Sequence, residues 1–279
     1  MTATAAVERI EDGLFRTRGA DVDIAFRVRG EGPAVVLLHG TSANHAVWEP
    51  VGDALADRAT VIALDQRGHG RSDKPVAGYA ALDFADDVIT VLDALGVADA
   101  VIAGHSLGGR NAWVAAARHP DRVSGAVVVD YTPYVEAAVL DELDIRVAAG
   151  FRSFDGVLEI EDYLRGRYPA ILPGAIERRA RWGYLRAADG RWIPRADERA
   201  MRQLIEGFRT PWDAEFRAVP TTMTHLRGVD SSIVSEAAWR RAIVDRPDDR
   251  WVVVDDADHY IPEEHPLLVA AEIARVLGF

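Results

Sequence analysis

The sequence contains no cysteine, and this absence excludes several kinds of chemistry. Without thiols the chain forms no disulfide, offers no thiolate nucleophile and holds no zinc through cysteine. It also lacks any apolar run that approaches the ~18 residues of a membrane-spanning helix. Residues 1–12 have no apolar stretch of the kind found in signal peptides. We therefore expect a cytoplasmic protein with no membrane partner.

Basic residues are outnumbered by acidic ones, 32 against 44, which gives a net charge of −12. A chain this acidic repels nucleic acid phosphates and anionic membrane surfaces, so nucleic acid is excluded as an expected partner. The 279 residues are 49% hydrophobic and 27% charged. This composition is typical of a globular chain that can bury a sizeable core.

Short apolar runs alternate with helical patterns, which predicts βαβ units around a mostly parallel sheet. The opening pair of strands is expected to be antiparallel, because apolar and polar residues alternate there. The predicted strands cover residues 15–18, 22–28, 34–38, 60–64, 100–103, 125–129, 221–226 and 251–254. The predicted helices between and after them cover residues 48–55, 80–95, 107–118 and 267–277.

This alternation stops at Thr132 and Pro133 and resumes only after Pro220. The stretch between them holds 14 arginines and 15 acidic residues, and its pattern predicts helices without a strong strand. A charge-mixed helical insertion of this kind is expected to lie over the sheet as a cap. We therefore predict a core segment at 1–132, a helical cap at 133–219 and a second core segment at 220–279.

A G-x-S-x-G motif, with Ser106 between Gly104 and Gly108, lies between a predicted buried strand and an alanine-rich helix. A serine at such a sharp turn is typical of a nucleophile in acyl transfer, and the glycines leave room for close neighbours. The start of the helix also directs N–H groups at the negative charge that forms on attack. We therefore predict an oxyanion hole from the N–H groups of Leu107 and of Thr41, which follows the strand at 34–38.

A serine hydroxyl needs a histidine base, and the histidine needs a carboxylate to orient it. His259 is the best placed of the eight histidines, in the loop between the last predicted strand and the closing helix. Two carboxylates stand at strand ends from which they could reach it, Asp130 and Asp230. The residues alone leave both open.

Asp65 and His69 are too few for a metal site, so no metal is expected and the segment is interpreted as a structured turn. His39, which precedes Gly40 and Thr41, is predicted to brace its loop rather than to act in catalysis.

With these motifs the chain resembles the α/β hydrolases over its full length. The resemblance implies an α/β-hydrolase fold with a mostly parallel eight-stranded sheet, flanking helices and an inserted helical cap. Most members carry the acid in a G-x-x-D-x-x-V turn, but the corresponding turn at 228–234 places Ser231 at the acid position. The resemblance therefore favours Asp130 as the acid, with Asp230 as the alternative.

Within this family, residues 130–136, Arg146 and residues 163–169 resemble those of the 2-(acetamidomethylene)succinate hydrolases of bacterial vitamin B6 degradation. The resemblance implies a cofactor-free enzyme that cleaves the enamide bond of a small dicarboxylate. The products would be acetate, ammonia, carbon dioxide and succinic semialdehyde.

The same resemblance implies four side chains for carboxylate binding: His45, Arg146, Arg167 and Tyr168. Arginine suits this role because its planar fork binds a carboxylate through two hydrogen bonds. The residues alone are equally consistent with arginines on solvated helix faces and with a tyrosine that packs inside the cap. The expected partner is a small anionic substrate, and a homodimer is left open.

The serine argues against the haloalkane dehalogenase and epoxide hydrolase branches, which place aspartate at this turn. The same triad would serve a carbon–carbon bond hydrolase, or an esterase or lactonase, acting on another small carboxylated substrate. A third class comprises cofactor-free dioxygenases, perhydrolases and ligand receptors of this fold. If Trp182, Trp192 and Trp212 line the pocket, a bulkier substrate is indicated.

Overall fold

The structure is a computed structural model that describes residues 6–11, 13–210 and 212–279. Part of the N-terminal segment 1–12 and one residue of the predicted cap therefore lie outside the described residues. The described strands are β1 Val7–Glu11, β2 Leu14–Arg18, β3 Asp23–Arg29, β4 Ala34–Leu38, β5 Thr60–Asp65, β6 Ala100–His105, β7 Val123–Val129, β8 Tyr184–Arg186, β9 Trp192–Pro194, β10 Met223–Gly228 and β11 Arg250–Val254.

One central sheet contains nine of these strands, in the order β1-β2-β3-β5-β4-β6-β7-β10-β11. The first three strands run antiparallel to their neighbours, and the remaining pairs are parallel. All eight predicted strands are confirmed, with shifts at their ends, and so is the antiparallel opening pair.

The predicted number of eight strands is wrong by one, because β1 adds a ninth at the edge of the sheet. Its sequence, VERIE, is exposed over its first three residues and pairs only with β2. An edge strand held by backbone hydrogen bonds needs no buried face, so it shows little of the apolar alternation that marks other strands.

Helices cover both faces of the sheet, which explains why the parallel strands are almost wholly apolar. They are a 3₁₀ helix at His45–Trp48, α1 Glu49–Leu55, α2 Ala81–Leu95, α3 Leu107–Arg118, α4 Ala137–Ala148, α5 Val157–Arg167, α6 Pro173–Gly183, α7 Glu198–Gly207, α8 Asp213–Ala218, α9 Glu236–Asp245, α10 Ile261–Glu264 and α11 Pro266–Leu277. Side chains of α2, α3 and α9 form the core on one face, and those of α1 and α11 form it on the other. No helix in the described ranges is long and apolar enough to cross a membrane.

The insertion, residues 133–219, contains α4 to α8 and also a short hairpin of β8 and β9. The prediction of helices alone is therefore wrong at this hairpin. Its strands have only three residues each, which is too short for a two-residue period to show in the sequence. Phe154 extends the hairpin through a backbone pair with Trp192, at 2.9 Å in both directions. The three-segment division of the chain stays a prediction.

Parallel strands bring the predicted site residues to one edge of the sheet. Leu38 at the end of β4 pairs with Gly104 of β6, and His105 pairs with Val129 at the end of β7. The next residues along the chain, including Thr41, Ser106 and Asp130, therefore leave the sheet side by side. Ligand sites of open α/β sheets lie at this carboxyl edge.

Candidate active site

Ser106 occupies the turn between β6 and α3, with φ 53° and ψ −116°. Such a backbone conformation is strained for a residue with a side chain, and it persists where the surroundings fix it. The neighbouring glycines provide the space. A Cβ atom on Gly104 would lie 2.0 Å from the Gly108 carbonyl oxygen, and one on Gly108 would lie 2.1 Å from the Leu38 carbonyl oxygen. The strand, turn and helix predicted around Ser106 are thus confirmed.

Asp130 and His259 meet behind this turn, with 2.7 Å between Asp130 Oδ2 and His259 Nδ1. Both side chains are buried. Asp130 also accepts hydrogen bonds from Gly228 N at 3.0 Å and from Ser231 Oγ at 2.6 Å. When His259 Nδ1 carries its hydrogen, the carboxylate therefore accepts three hydrogen bonds, and Nε2 is left free to act as a base.

The structure distinguishes the two candidate acids. Asp130 contacts His259, whereas Asp230 is exposed on the turn after β10. The hydroxyl of Ser231, one residue further, is the group of that turn that reaches Asp130. The alternative acid Asp230 is therefore not placed at the histidine.

Burial controls the ionisation of this pair. It lowers the pKa of His259 to about 3, and the positive charge of Arg146 acts in the same direction. The imidazole is therefore neutral near pH 7, as a general base must be. Burial raises the pKa of Asp130, and the hydrogen bonds from Ser231 and Gly228 oppose that rise.

The loop after β4 presents Thr41 to the same cavity as Ser106. Its neighbours are engaged elsewhere: Ser42 N donates to His69 Nε2 at 3.1 Å, and Ala43 N donates to the Gly40 carbonyl at 3.2 Å. Within the described residues the N–H groups of Thr41 and Leu107 have no hydrogen-bond acceptor. The arrangement leaves two unengaged donors near the nucleophile.

His39 makes structural contacts in the loop after β4, as the sequence predicted. His39 is buried and holds the loop, through Nδ1 to the Gly40 carbonyl at 2.8 Å and through Nε2, which accepts from Gln66 N at 3.0 Å. No group of three potential metal ligands occurs in the ranges that the structure describes. The segment after β5 is a structured turn, in which Asp65 Oδ2 accepts from Arg71 N at 2.8 Å.

Two adjoining cavities lie between the sheet edge and the insertion. The first, which we call the catalytic cavity, contains Ser106 and His259 in its wall. The second, which we call the middle cavity, lies further into the insertion, beside Tyr163 and Tyr184. They share six lining residues: Ser42, Ala43, Val147, Arg167, Tyr168 and Arg179. Among the described residues, no aspartate or glutamate lines either cavity.

Three of the four predicted carboxylate-binding residues line the catalytic cavity: Arg146, Arg167 and Tyr168. Arg146 Nη2 donates to Tyr260 Oη at 2.9 Å. Arg167 is more fully engaged, since it donates to Tyr168 Oη at 3.0 Å, to Tyr163 Oη at 3.0 Å and to the Arg146 carbonyl at 2.8 Å. Its charge therefore faces the cavity from a fixed position.

His45 is placed differently from this expectation. It is buried in the 3₁₀ helix and does not line either cavity among the described residues. Its Nδ1 lies 2.8 Å from Asp65 Oδ1, and its ring packs edge-on against Trp182 at 4.9 Å. The contact pairs it with the turn after β5, and a role in carboxylate binding stays a prediction.

Arg179 is the main cavity residue that the sequence did not single out. Its guanidinium stacks on the Tyr168 ring, with 4.2 Å between the guanidinium carbon and the ring centroid. It forms a buried ion pair with Glu263 of α10, in which Nε donates to both carboxylate oxygens at 3.0 Å. The remaining nitrogen, Nη1, has no hydrogen-bond partner within the described residues.

Two further residues were missed. Tyr260 lines the catalytic cavity, with its ring centroid 5.1 Å from that of His259. His105 Nε2 lies 2.7 Å from the His259 carbonyl and so fixes the loop that carries the base. Adjacency to Ser106 and His259 was the available signal for both.

None of Trp182, Trp192 and Trp212 lines the catalytic or the middle cavity within the described residues. Trp182 packs on His45, and Trp212 packs against the core. The condition for a bulkier substrate is therefore not met.

Comparison with known proteins agrees with this fold. Residues 33–266 match the family model described as alpha/beta hydrolase fold. The chain is 42% identical over 266 residues to 2-(acetamidomethylene)succinate hydrolase of Mesorhizobium japonicum, covering 94% of this chain and 95% of that protein. The crystal structure of E-2-(acetamidomethylene)succinate hydrolase superposes with a TM-score of 0.90 at 42% identity, covering 93% of this chain and 97% of that one.

A more distant structure shares the fold alone. An alpha/beta hydrolase from Novosphingobium aromaticivorans superposes with a TM-score of 0.79 at 24% identity, and 99% of each chain is covered. The chain described here belongs to the α/β-hydrolase fold family.

Proposed function

We propose that this chain is a cofactor-free serine hydrolase that cleaves the enamide bond of a small dicarboxylate such as 2-(acetamidomethylene)succinate. The observation that carries the proposal is the charge of the site. Arg146, Arg167 and Arg179 line the cavity that contains Ser106, and within the described residues one of them, Arg179, has a carboxylate partner, Glu263. Two positive charges therefore stay unbalanced, which matches the charge of a dicarboxylate.

This surplus is notable in a chain whose net charge is −12. Guanidinium groups that keep their charge in a poorly hydrated cavity attract carboxylates more strongly than they would in water. The relative that is 42% identical over nearly the whole chain carries a dicarboxylate substrate in its name. Identity and electrostatics thus support the same substrate class.

In the proposed reaction Ser106 Oγ attacks the acetyl carbonyl carbon while His259 Nε2 takes the hydroxyl proton. Asp130 stabilises the imidazolium, and the Thr41 and Leu107 N–H groups stabilise the oxyanion. The carbon–nitrogen bond then breaks as His259 returns the proton to the leaving nitrogen. The acetyl group stays on Ser106, and the enamine is released.

Water attacks the acetyl-enzyme with His259 again as the base, which releases acetate and restores Ser106. The free enamine, 2-(aminomethylene)succinate, takes up a second water and loses ammonia to give 2-formylsuccinate. This β-formyl acid loses carbon dioxide and leaves succinic semialdehyde. Neither of the last two steps requires the protein.

The test measures acetate release from E-2-(acetamidomethylene)succinate by the purified protein. Ser106→Ala should abolish release while the thermal unfolding transition is retained. Arg146→Gln should lower kcat/KM by about 10- to 100-fold, the effect of losing one hydrogen-bonded charge pair. The matched control is Arg165→Gln on the same insertion, because Arg165 is exposed and pairs with Glu161 and Asp162 outside the cavities.

Hydrolysis of a neutral ester, 4-nitrophenyl acetate, tests the catalytic triad separately from the substrate class. Hydrolysis of the ester through Ser106 without turnover of the dicarboxylate would leave the triad assignment and refute the substrate. Vinylogous diketo acids and lactones with a carboxylate, run in the same assay, test the carbon–carbon hydrolase and the esterase or lactonase alternatives.

A further inference from the structure

A groove on the surface continues the two cavities outward. It is bordered by residues 151–153 on one side and by the end of the β8–β9 hairpin and the start of α7 on the other. The groove shares Phe151, Pro194 and Ala196 with the middle cavity. The middle cavity in turn shares lining residues with the catalytic cavity. The three spaces therefore form one series from the surface to Ser106.

Three cationic side chains line the surface groove: Lys74, Arg152 and Arg195. Arg152 is paired with Glu159, at 3.5 Å. Lys74, the only lysine of the chain, donates to the carbonyls of Gly70 at 3.0 Å and Ser72 at 2.7 Å. Both acceptors are neutral carbonyls, so Lys74 has no direct carboxylate partner in the described residues.

Arg195 is half-buried and lies between Pro194 and Ala196, two of the residues that the groove shares with the middle cavity. Its Nε is buried without a hydrogen-bond partner, and the described part of the chain offers the guanidinium no ion pair. Arg195 is therefore a second cation at the groove that has no direct carboxylate partner in the described residues.

The two acidic residues of the groove are engaged within α7. Asp197 caps the helix by accepting from Ala200 N at 2.8 Å and pairs with Arg199 at 4.0 Å, and Glu198 binds Arg202 at 2.5 Å. Cations without a direct carboxylate partner in the described residues thus continue inward from Lys74 and Arg195 at the groove to Arg167 and Arg146 of the cavities.

This succession of cations crosses the surface of a protein with a net charge of −12. Such a surface repels a dianion at most points of approach, whereas a cleft lined by positive charge concentrates anions and raises their rate of capture. A dianion would therefore be attracted at the groove and repelled by most of the remaining surface.

We propose that the surface groove is the substrate entrance, with Lys74 and Arg195 selecting anions at its mouth and Phe151, Pro194 and Ala196 forming the throat. The selected ligand is a small dicarboxylate, so this part of the proposal rests on the proposed function. The position of the entrance does not depend on the proposed function.

The experiment compares kcat/KM for E-2-(acetamidomethylene)succinate and for neutral 4-nitrophenyl acetate at low and high ionic strength. Arg195→Gln is expected to lower kcat/KM for the dicarboxylate about fivefold at low salt and to leave the ester unchanged. The loss should shrink at high salt, where mobile ions screen the charge. Arg240→Gln, which removes an equal charge from the exposed face of α9, is the control and should change neither substrate.

The throat is tested by narrowing it. Ala196→Leu should lower kcat/KM for both substrates and keep the midpoint of thermal unfolding of the wild-type protein. Phe151→Trp is a second variant with the same expected result, in case the first does not fold. If narrowing leaves ester hydrolysis unchanged, the entrance lies elsewhere.

Equal losses of kcat/KM for the dicarboxylate in Arg195→Gln and Arg240→Gln would contradict the proposed selection of anions by Arg195. If the wild-type protein hydrolyses the ester but not the dicarboxylate, the proposed function fails by itself, and the narrowing variants still decide the route.

Discussion

Ser231 donates its hydroxyl hydrogen to Asp130 Oδ2, the same oxygen that faces His259 Nδ1. The direction of this hydrogen bond follows from the turn. Ser231 Oγ already accepts from Ile233 N at 3.2 Å and from Val234 N at 3.0 Å. Since a hydroxyl has one hydrogen and two lone pairs, its hydrogen is committed to the carboxylate.

Ser231→Ala should therefore impair catalysis more than substrate binding. Loss of the donor raises the pKa of Asp130, because that hydrogen bond lowers it. We expect kcat to fall about tenfold, KM to stay unchanged, and the acid limb of the kcat/KM profile to move to higher pH. Ser231→Thr keeps the hydroxyl and should recover most of the activity. An unchanged pH profile in the alanine variant would contradict this role.

The Arg179–Glu263 pair is buried and joins the insertion to α10. Arg179→Met alone leaves a buried carboxylate without its partner, which costs about 3–5 kcal/mol of unfolding free energy. The double variant Arg179→Met with Glu263→Met should regain most of that stability in urea denaturation. It should not regain kcat/KM for the dicarboxylate, because the cavity still lacks the Arg179 guanidinium, whose Nη1 has no partner in the described residues. Recovery of activity along with stability would refute a binding role for Arg179.

Arg110 of α3 is fully buried, and both Nη atoms lack a hydrogen-bond partner within the described residues. Burial lowers its pKa to about 10, and its guanidinium carbon lies 4.8 Å from the centre of the Phe208 ring. An apolar side chain of similar length removes the cost of this unpaired charge and loses two cation–π contacts, with Phe208 and Phe84. Arg110→Met should therefore raise the unfolding free energy by about 1 kcal/mol. Arg110→Lys, which keeps the charge, should not.

Acid should destabilise the fold below the ordinary histidine pKa of 6.5. Burial lowers the pKa of five histidines, His39, His69, His105, His225 and His259. The unfolded chain binds these protons as the pH falls below 6.5 and the folded chain does not, so stability is lost in that window. Each group contributes up to about 1.4 kcal/mol per pH unit.

The opposing groups are fewer, since burial raises the pKa of Asp87, Asp130 and Glu264. Urea unfolding at pH 7.5, 6.5 and 5.5 should therefore show a free energy that falls between pH 6.5 and 5.5. A free energy that rises towards pH 5.5 would mean that the carboxyls dominate.

Local patterns identified the parts of the site that one chain segment builds. Ser106 stands in a motif whose glycines are forced by contacts of 2.0 and 2.1 Å, and His259 follows a strand. The assignment of Asp130 as the acid required the family resemblance, because Asp230 also follows a strand. The folded chain shows which of the two carboxylates contacts the imidazole.

Arg179 could not be identified in this way. It lies next to Arg178 and near Arg181 on one helix, and no spacing rule tells which of these cations faces a cavity. That choice depends on how α6 packs against α10, a contact between segments 84 residues apart. Strand β1 and the β8–β9 hairpin were not predicted for a related reason. Their backbone pairing with neighbouring strands forms them, and their own side-chain pattern does not indicate it.

Glu263 lies four residues after His259, and this short separation along the chain links two parts of the protein that an engineer would otherwise exchange separately. The segment that carries the base also carries the carboxylate on which the insertion is anchored. A chimera that received a foreign insertion would leave Glu263 buried without a cation, directly beside the catalytic loop. Successful transplantation therefore requires an incoming arginine at the position of Arg179, or replacement of Glu263 in the recipient.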